Sequence, residues 1–289
     1  MKLKNVPEEL HRYFGYNRGL QLLKSGKLYF SDPFSYNDIF ECSPSSSFLD
    51  SSLNVAHELK EMKETEEGRK ILGYVDESLS TTGILTASAV AGSATIISAP
   101  VITLVGVALA GIYAMYKKSK PKERDKYEYF IKHFLPIMGT AKACCFTEEY
   151  DNILMWSHYA GWNAGITISF KTDLKYWVGE QFLPVQYSYN RVPLPELDEN
   201  NYAYLQKLLT TKAECWEYEK EWRIVKFDKL KKTFIRVNPS SISAIRLGLR
   251  IGEDERNVIL ELRNRLYPNA VVYVERLSKE GFTLEFEKL

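Results

Sequence analysis

Between Trp216 and Arg223 the chain reads Trp-Glu-Tyr-Glu-Lys-Glu-Trp-Arg, three carboxylates at alternate positions followed by an arginine. On a strand, Glu217, Glu219, Glu221 and Arg223 share one face, and Tyr218 and Trp222 share the other. Such a cluster is either a solvated, ion-paired face or a site. In a site, one carboxylate stabilises positive charge developing on a sugar, and its neighbour accepts the proton of the attacking group. Glu221 and Glu219 are then the catalytic candidates, with Arg223 placed to hold the ligand. A second concentration runs from Asp151 to Gly161 and contains Met155-Trp156-Ser157-His158-Tyr159. His158 reads as a base, a ligand contact or a hydrogen-bonded core histidine. Trp156 and Tyr159 beside it are aromatic candidates for a bound ring. Gly165 opens the strand that follows, where a glycine permits a close approach of backbone or ligand. A third segment supplies His11, Arg12 and Tyr13, then Asn37 and Asp38 after an aromatic turn. Those last two either cap the next segment or contact a ligand.

These residues need elements to position them. Residues 17–25 predict a short helix with Leu20, Leu22 and Leu23 apolar, stopped by Gly26, and Lys27 to Phe30 then alternate as a strand does. Ser31 to Tyr36 make a turn, and residues 54–72 a charged helix with a sparse apolar stripe. Pro121 to Leu135 reads as helix. Strands are predicted at 141–146, 164–170, 182–187, 221–227, 233–237, 242–249, 270–276 and 281–287, with helices near 200–214 and 253–266. Many short strands and few crossover helices favour an α+β fold with a mixed, mostly antiparallel sheet over a doubly wound one. No internal repeat is visible.

Composition narrows the function classes. The 289 residues are 45% hydrophobic, enough for a sizeable core. With 38 basic against 37 acidic residues the net charge is +1, so no global field draws nucleic acid and a charged ligand must be held locally. Cys42, Cys144, Cys145 and Cys215 lack the paired spacing of a zinc site. The N-terminus carries Lys2, Lys4, Glu8 and Glu9 with no apolar run, so no secretory signal is expected and the globular part should face the cytoplasm.

Ser78 to Tyr116 holds no charged residue across 39 positions, which divides the chain into 1–80, an insert at 81–118, and 119–289. Three arrangements fit: a hairpin turning at Pro100, a single membrane span, and a pair of buried helices. Proline breaks a helix interior, and basic residues flank both sides (Lys60, Lys63, Arg69 and Lys70 before; Lys117, Lys118, Lys120, Lys122 and Arg124 after). Both features favour a two-helix hairpin in an inner membrane with both termini cytoplasmic. Small residues such as Ala91, Gly92, Gly106 and Gly111 suit close helix packing within a hairpin or an oligomer of hairpins. The partners expected on that reading are the lipid bilayer, a regulatory or inhibitory protein or ribonucleoprotein, and further copies of the chain. The function expected is a membrane-disrupting effector of a prokaryotic toxin or antiviral-defence system.

Together, Arg12-Tyr13, Asn37-Asp38, Cys145-Phe146, Met155-Trp156-Ser157-His158-Tyr159 and Trp216-x-x-Glu219-x-Glu221-x-Arg223 resemble the prokaryotic family catalogued as domain of unknown function 2971. The resemblance covers most of 11–48 and 140–289. It departs at Ile39, where that family usually has proline, at Thr147 in place of serine, and in the insert. The order of basic-aromatic strand, aromatic middle and Glu-x-Glu strand in turn looks like the ADP-ribosyltransferase layout. That likeness implies a membrane-tethered transferase using NAD, in which Arg12 holds phosphate, Tyr13 and Tyr159 stack on nicotinamide, and Glu221 is catalytic.

Overall fold

The computed structural model describes residues 6–33, 64–70, 73, 113, 116–117, 120–138, 140–197, 199–227 and 233–289. In chain order the elements are β1 (Glu9–Phe14), α1 (Tyr16–Ser25), β2 (Lys27–Tyr29), α2 (Pro121–His133), α3 (Leu135–Met138), β3 (Ala141–Thr147), α4 (Ile153–Tyr159) and β4 (Ile166–Lys171). There follow β5 (Leu183–Pro184), β6 (Gln186–Ser188), α5 (Asn201–Leu209), β7 (Thr211–Ala213), a 3-10 helix (Glu214–Glu219) and β8 (Glu221–Phe227). The chain ends with β9 (Phe234–Arg236), β10 (Ile242–Leu247), α6 (Glu253–Leu266), β11 (Val271–Leu277) and β12 (Leu284–Lys288).

Eight strands form one sheet in the order β12-β11-β10-β4-β1-β3-β8-β5, and of its pairings only β10 with β11 is parallel. The protein is therefore α+β with a mixed, mostly antiparallel sheet. β1 precedes the uncharged insert and lies between two strands that follow it, so both sides of the insert share this sheet. β4 is buried on both faces up to its last residue, which explains why its less apolar side carries the small hydroxyls of Thr167 and Ser169 before the half-buried Lys171. One face packs Leu10, Phe14, Ile166 and Ile168 with Leu22 and Leu23 of α1 and Ile259 and Leu262 of α6. The other packs Tyr13 against Met155 and Trp156 of α4. Three acids in the first turn of α6 and Arg263 and Arg265 in its last complement the helix dipole. α4 starts where the Asn152 side chain accepts hydrogen bonds from the amides of Leu154 and Met155.

The helix predicted near 200–214 ends at Leu209, because Thr210 to Ala213 turn into β7 beside β6. The predicted strand 182–187 is two short strands, β5 and β6, in different sheets. Gly165 serves a backbone approach rather than a ligand, since a Cβ there would lie 2.1 Å from the carbonyl oxygen of Phe14.

The expectation of a membrane hairpin is corrected. Among the described residues no helix is long and apolar enough to cross a membrane. Of the segment 81–118, all but Tyr113, Tyr116 and Lys117 lies outside the described residues. Tyr113 and Tyr116, assigned from sequence to the second membrane leg, are buried in protein. The Tyr113 hydroxyl is 2.7 Å from Thr65 Oγ1, and Tyr116 donates to Glu128 of α2 at 3.0 Å. Lys117 and Arg124 lie over the Tyr113 and Tyr116 rings. Tyrosines tied to charged side chains mark a polar protein contact where a hydrocarbon-facing leg was predicted. The inner-membrane location, the toxin or defence role and the membrane tether all required that hairpin, and they lose their basis with it.

Candidate active site

β1 meets β3 at a single pair, His11 opposite Thr147. At the far end of β3, Ser31 bridges Ala143 in place of β1. Between these points the strands part, and a cavity of about 880 Å3 lies against the opening, lined by residues of both strands, α1, β2, α4 and the β7–β8 region.

Pairing fixes which groups meet there. Ser169 of β4, His11 of β1, Thr147 of β3 and Glu221 of β8 stand in one cross-strand row and so share a face of the sheet. Arg12, one residue along, belongs to the opposite face. Its Nη1 donates to Cys144 Sγ at 2.5 Å and its guanidinium lies over Phe14, with no carboxylate paired to it among the described residues. Arg18 and Lys27 add positive charge to the cavity lining.

The two carboxyls Glu219 and Glu221 also line the cavity, brought together differently from the predicted strand alternation. Glu214–Glu219 is a 3-10 helix, and the strand starts only at Glu221. Lys220 between them is left-handed, with φ of 42°, unusual for a residue with a Cβ. Its carbonyl accepts from the Glu148 amide at 3.2 Å, and its ammonium pairs with Glu149. This turn leaves Glu217 exposed and directs Glu219 and Glu221 inward, both buried.

Glu221 is clamped. Arg223 donates from Nε to Oε1 and from Nη2 to Oε2, each at 2.8 Å, while its Nη1 donates to the Leu209 carbonyl at 2.6 Å. Lys212 adds a contact to Glu221 Oε2 at 3.2 Å and a closer one to Glu219 Oε2 at 2.5 Å. Glu219 Oε1 accepts from the Tyr159 hydroxyl at 2.6 Å. Burial works to raise both acids. For Glu221 the Arg223 and Lys212 charges outweigh it and hold the carboxyl down at about 2. For Glu219 burial prevails, with the Glu221 charge adding to it against Lys212, and the carboxyl is raised above its usual range. Glu221 is thus a fixed anion, and Glu219 is the member of the pair with a proton to exchange.

Arg12, Tyr13, His158, Tyr159, Glu219, Glu221 and Arg223 all line this one cavity. His158 is exposed at its rim, with its ring 6.4 Å from that of Trp216. Trp156 does not line it. It is wholly buried, donates from Nε1 to the Tyr150 carbonyl and packs edge-on against Tyr13, which is a core role. Tyr13 contributes a wall rather than a free stacking face for that reason. Asn37 and Asp38 lie outside the described residues. Sequence reasoning missed Lys212, hidden at the end of a predicted helix; His11, noted only as a member of its segment, also lines the cavity. Among the described residues no group of acidic, histidine and cysteine side chains is placed to hold a metal ion.

In comparisons with family models, curated proteins and solved structures, nothing matches this chain.

Proposed function

We propose that the cavity binds a phosphate-bearing nucleotide of the NAD class and transfers its ADP-ribose, on an ADP-ribosyltransferase-like variant of the α+β fold. The observation that carries this reading is the polarity of the cavity. An arginine without a carboxylate partner among the described residues lines it together with a protonatable carboxyl beside a fixed one. A volume of about 880 Å3 falls in the range of small-molecule and cofactor sites. Each segment resembling domain of unknown function 2971 that falls among the described residues contributes to the cavity lining, which supports reading them as one site.

On this reading Arg12, with Arg18 and Lys27, holds the phosphates through charge-assisted hydrogen bonds. The bond between the ribose carbon and the nicotinamide nitrogen breaks, and its electron pair leaves with nicotinamide, which becomes neutral. An acceptor hydroxyl forms the new bond to that carbon, and its proton passes to the Glu219 carboxylate. The anionic Glu221, fixed by Arg223, supplies negative charge near the sugar as positive charge develops there. Tyr159 and Lys212 orient Glu219.

Calorimetric titration of NAD and ADP-ribose into the full chain, with nicotinamide release followed separately, tests this. Arg12→Ala should weaken binding roughly tenfold or more, as loss of a charged hydrogen bond does. Glu219→Gln should keep binding and abolish nicotinamide release. Absence of binding of either ligand by the wild type at millimolar concentration rejects the reading.

A further inference from the structure

Arg246 of β10 is buried beside the wall of the cavity and donates from Nη1 to Ser169 Oγ at 2.6 Å. Ser169 Oγ is in turn 2.8 Å from Nδ1 of His11. A guanidinium only donates, so it occupies one lone pair of the serine oxygen. The serine's single proton then has one acceptor among the described residues, Nδ1 of His11. That arrangement satisfies all three groups and leaves the imidazole proton on Nε2. The other tautomer strands the hydroxyl proton of a fully buried serine without an acceptor, which burial penalises. Nε2 itself has no partner among the described residues, and His11 lines the cavity.

We propose that His11 is a neutral hydrogen-bond donor to the bound ligand, its Nε2–H meeting an uncharged acceptor oxygen, with Arg246 acting through Ser169 as the positioning residue that keeps the proton there. The ligand contact rests on the nucleotide reading above, whereas the tautomer does not. Arg246 is the charged group facing the ring. Thr147, Ser169 and Tyr150, the last edge-on with ring centroids 5.3 Å apart, bring no carboxylate to it. Burial and then the Arg246 charge lower His11 to about 3, so the ring stays uncharged across the physiological range. A neutral donor selects a ribose hydroxyl or a carboxamide oxygen.

The test is nitrogen-15 long-range NMR of the histidine rings in the full chain. The expected pattern for His11 is a neutral ring protonated on Nε2 from pH 8 down to pH 5. Protonation on Nδ1, or a cationic ring at pH 6, overturns the proposal. Ser169→Ala should release the tautomer, so that an Nδ1-protonated fraction appears, and an unchanged pattern there removes Arg246 and Ser169 from the account. His11→Phe should weaken NAD binding about two- to tenfold, the range for a single neutral hydrogen bond. His11→Gln, which returns a donor near the Nε2 position, should recover most of it. Equal affinity of His11→Phe and wild type overturns the contact. Parallel titrations of ADP-ribose and of nicotinamide assign the acceptor to sugar or to carboxamide. If the wild type binds neither NAD nor ADP-ribose, the nucleotide reading fails and the contact with it, while the ring pattern still decides the arrangement of Arg246, Ser169 and His11.

Discussion

Arg223 and Arg246 are both buried, at 0% and 8% exposure, on the same face of the same sheet, and they are accommodated in opposite ways. Arg223 is paired: two parallel hydrogen bonds to Glu221, with Lys212 and Glu219 completing a four-membered ionic cluster. Arg246 has no such carboxylate among the described residues. It sits over Tyr150 at 3.8 Å, with Tyr273 and Phe286 farther out, and makes one hydrogen bond to Ser169. The difference teaches what each cation is for. A buried ion pair contributes little net stability but is expensive to break, because the survivor is left charged in a poorly solvating medium. A cation held by aromatic rings leaves no charged partner behind when it is removed. The cluster at Arg223 therefore fixes geometry at the candidate site, and Arg246 imposes charge on its neighbours without being neutralised by them.

The largest expected effect comes from breaking the paired cluster on one side only. Glu221→Gln leaves Arg223 and Lys212 with Glu219 alone, and Glu219 resists ionisation, so the cost should be about 3–5 kcal/mol. Urea unfolding would measure it. A change under about 1 kcal/mol would mean that the cluster is solvated and that the comparison is drawn wrongly. The next effect is acid sensitivity. His11 titrates at about 3 in the folded chain, below its ordinary 6.5, so the unfolded chain binds the extra proton. Its contribution to stability is full above pH 6.5 and is lost as pH falls from there toward 3, at a rate of up to roughly 1.4 kcal/mol per pH unit. Glu221 adds a loss of the same sign only below about 4.5. Stability measured at pH 6.5 and pH 4.5 should thus differ by about 2 kcal/mol through His11, and His11→Gln should flatten that interval while leaving the steeper region below it.

Arg246→Met sharpens the contrast from the other side. It removes contacts with three rings and one hydroxyl but strands no opposite charge, and it fills the volume with an apolar chain. The expected cost is about 1–2 kcal/mol, well under that of Glu221→Gln. Equal costs in the two unfolding curves would show that pairing does not distinguish the two arginines.

Much of this fold was legible because period and punctuation survive locally. The α1 helix stops at Gly26, which is left-handed with φ of 62°. α6 carries its charges in the order its dipole requires. The strand at Ile166 shows the apolar and hydroxyl alternation of a strand covered on both faces. The candidate site was legible as a set of segments and not as a geometry. Strand alternation grouped Glu219, Glu221 and Arg223, which do meet, although only Glu221 and Arg223 do so as neighbours on one face of a strand. It also enrolled Glu217, which the 3-10 helix turns outward, because nothing local announces that Lys220 adopts a left-handed conformation. That conformation is held by residues 148 and 149, some seventy positions earlier. Lys212 was missed for the same reason, since its partners come from a turn the helical pattern did not foresee. Trp156 misled in the opposite direction: an aromatic in a polar block looked like a ligand contact, but tertiary packing against Tyr13 made it core. The uncharged run was read against lipid because composition alone does not say what surrounds an apolar stretch. The polar contacts of Tyr113 and Tyr116 come from residues on both sides of it.

The smallest effect is also the most diagnostic of the paired cluster, because it concerns a single hydroxyl. Tyr159 donates to Glu219 Oε1 at 2.6 Å, and that bond acts to lower the carboxyl against the burial that raises it. Glu219 is raised above its unfolded value, so its stabilising contribution is complete at low pH and is lost as pH rises through its folded titration. Tyr159→Phe removes the donor and should push that titration to still higher pH. A hydroxyl bond to an ionised carboxylate is worth more than one to its protonated form. The variant should therefore lose about 1 kcal/mol on the alkaline side of that titration, where the ionised Glu219 needs the donor, and distinctly less on its acid side, where the acid carries its own proton. Unfolding of wild type and variant followed across pH isolates the effect, and a loss that does not change with pH would show that Glu219 does not exchange a proton over the range scanned, leaving the pair of carboxyls as two fixed anions.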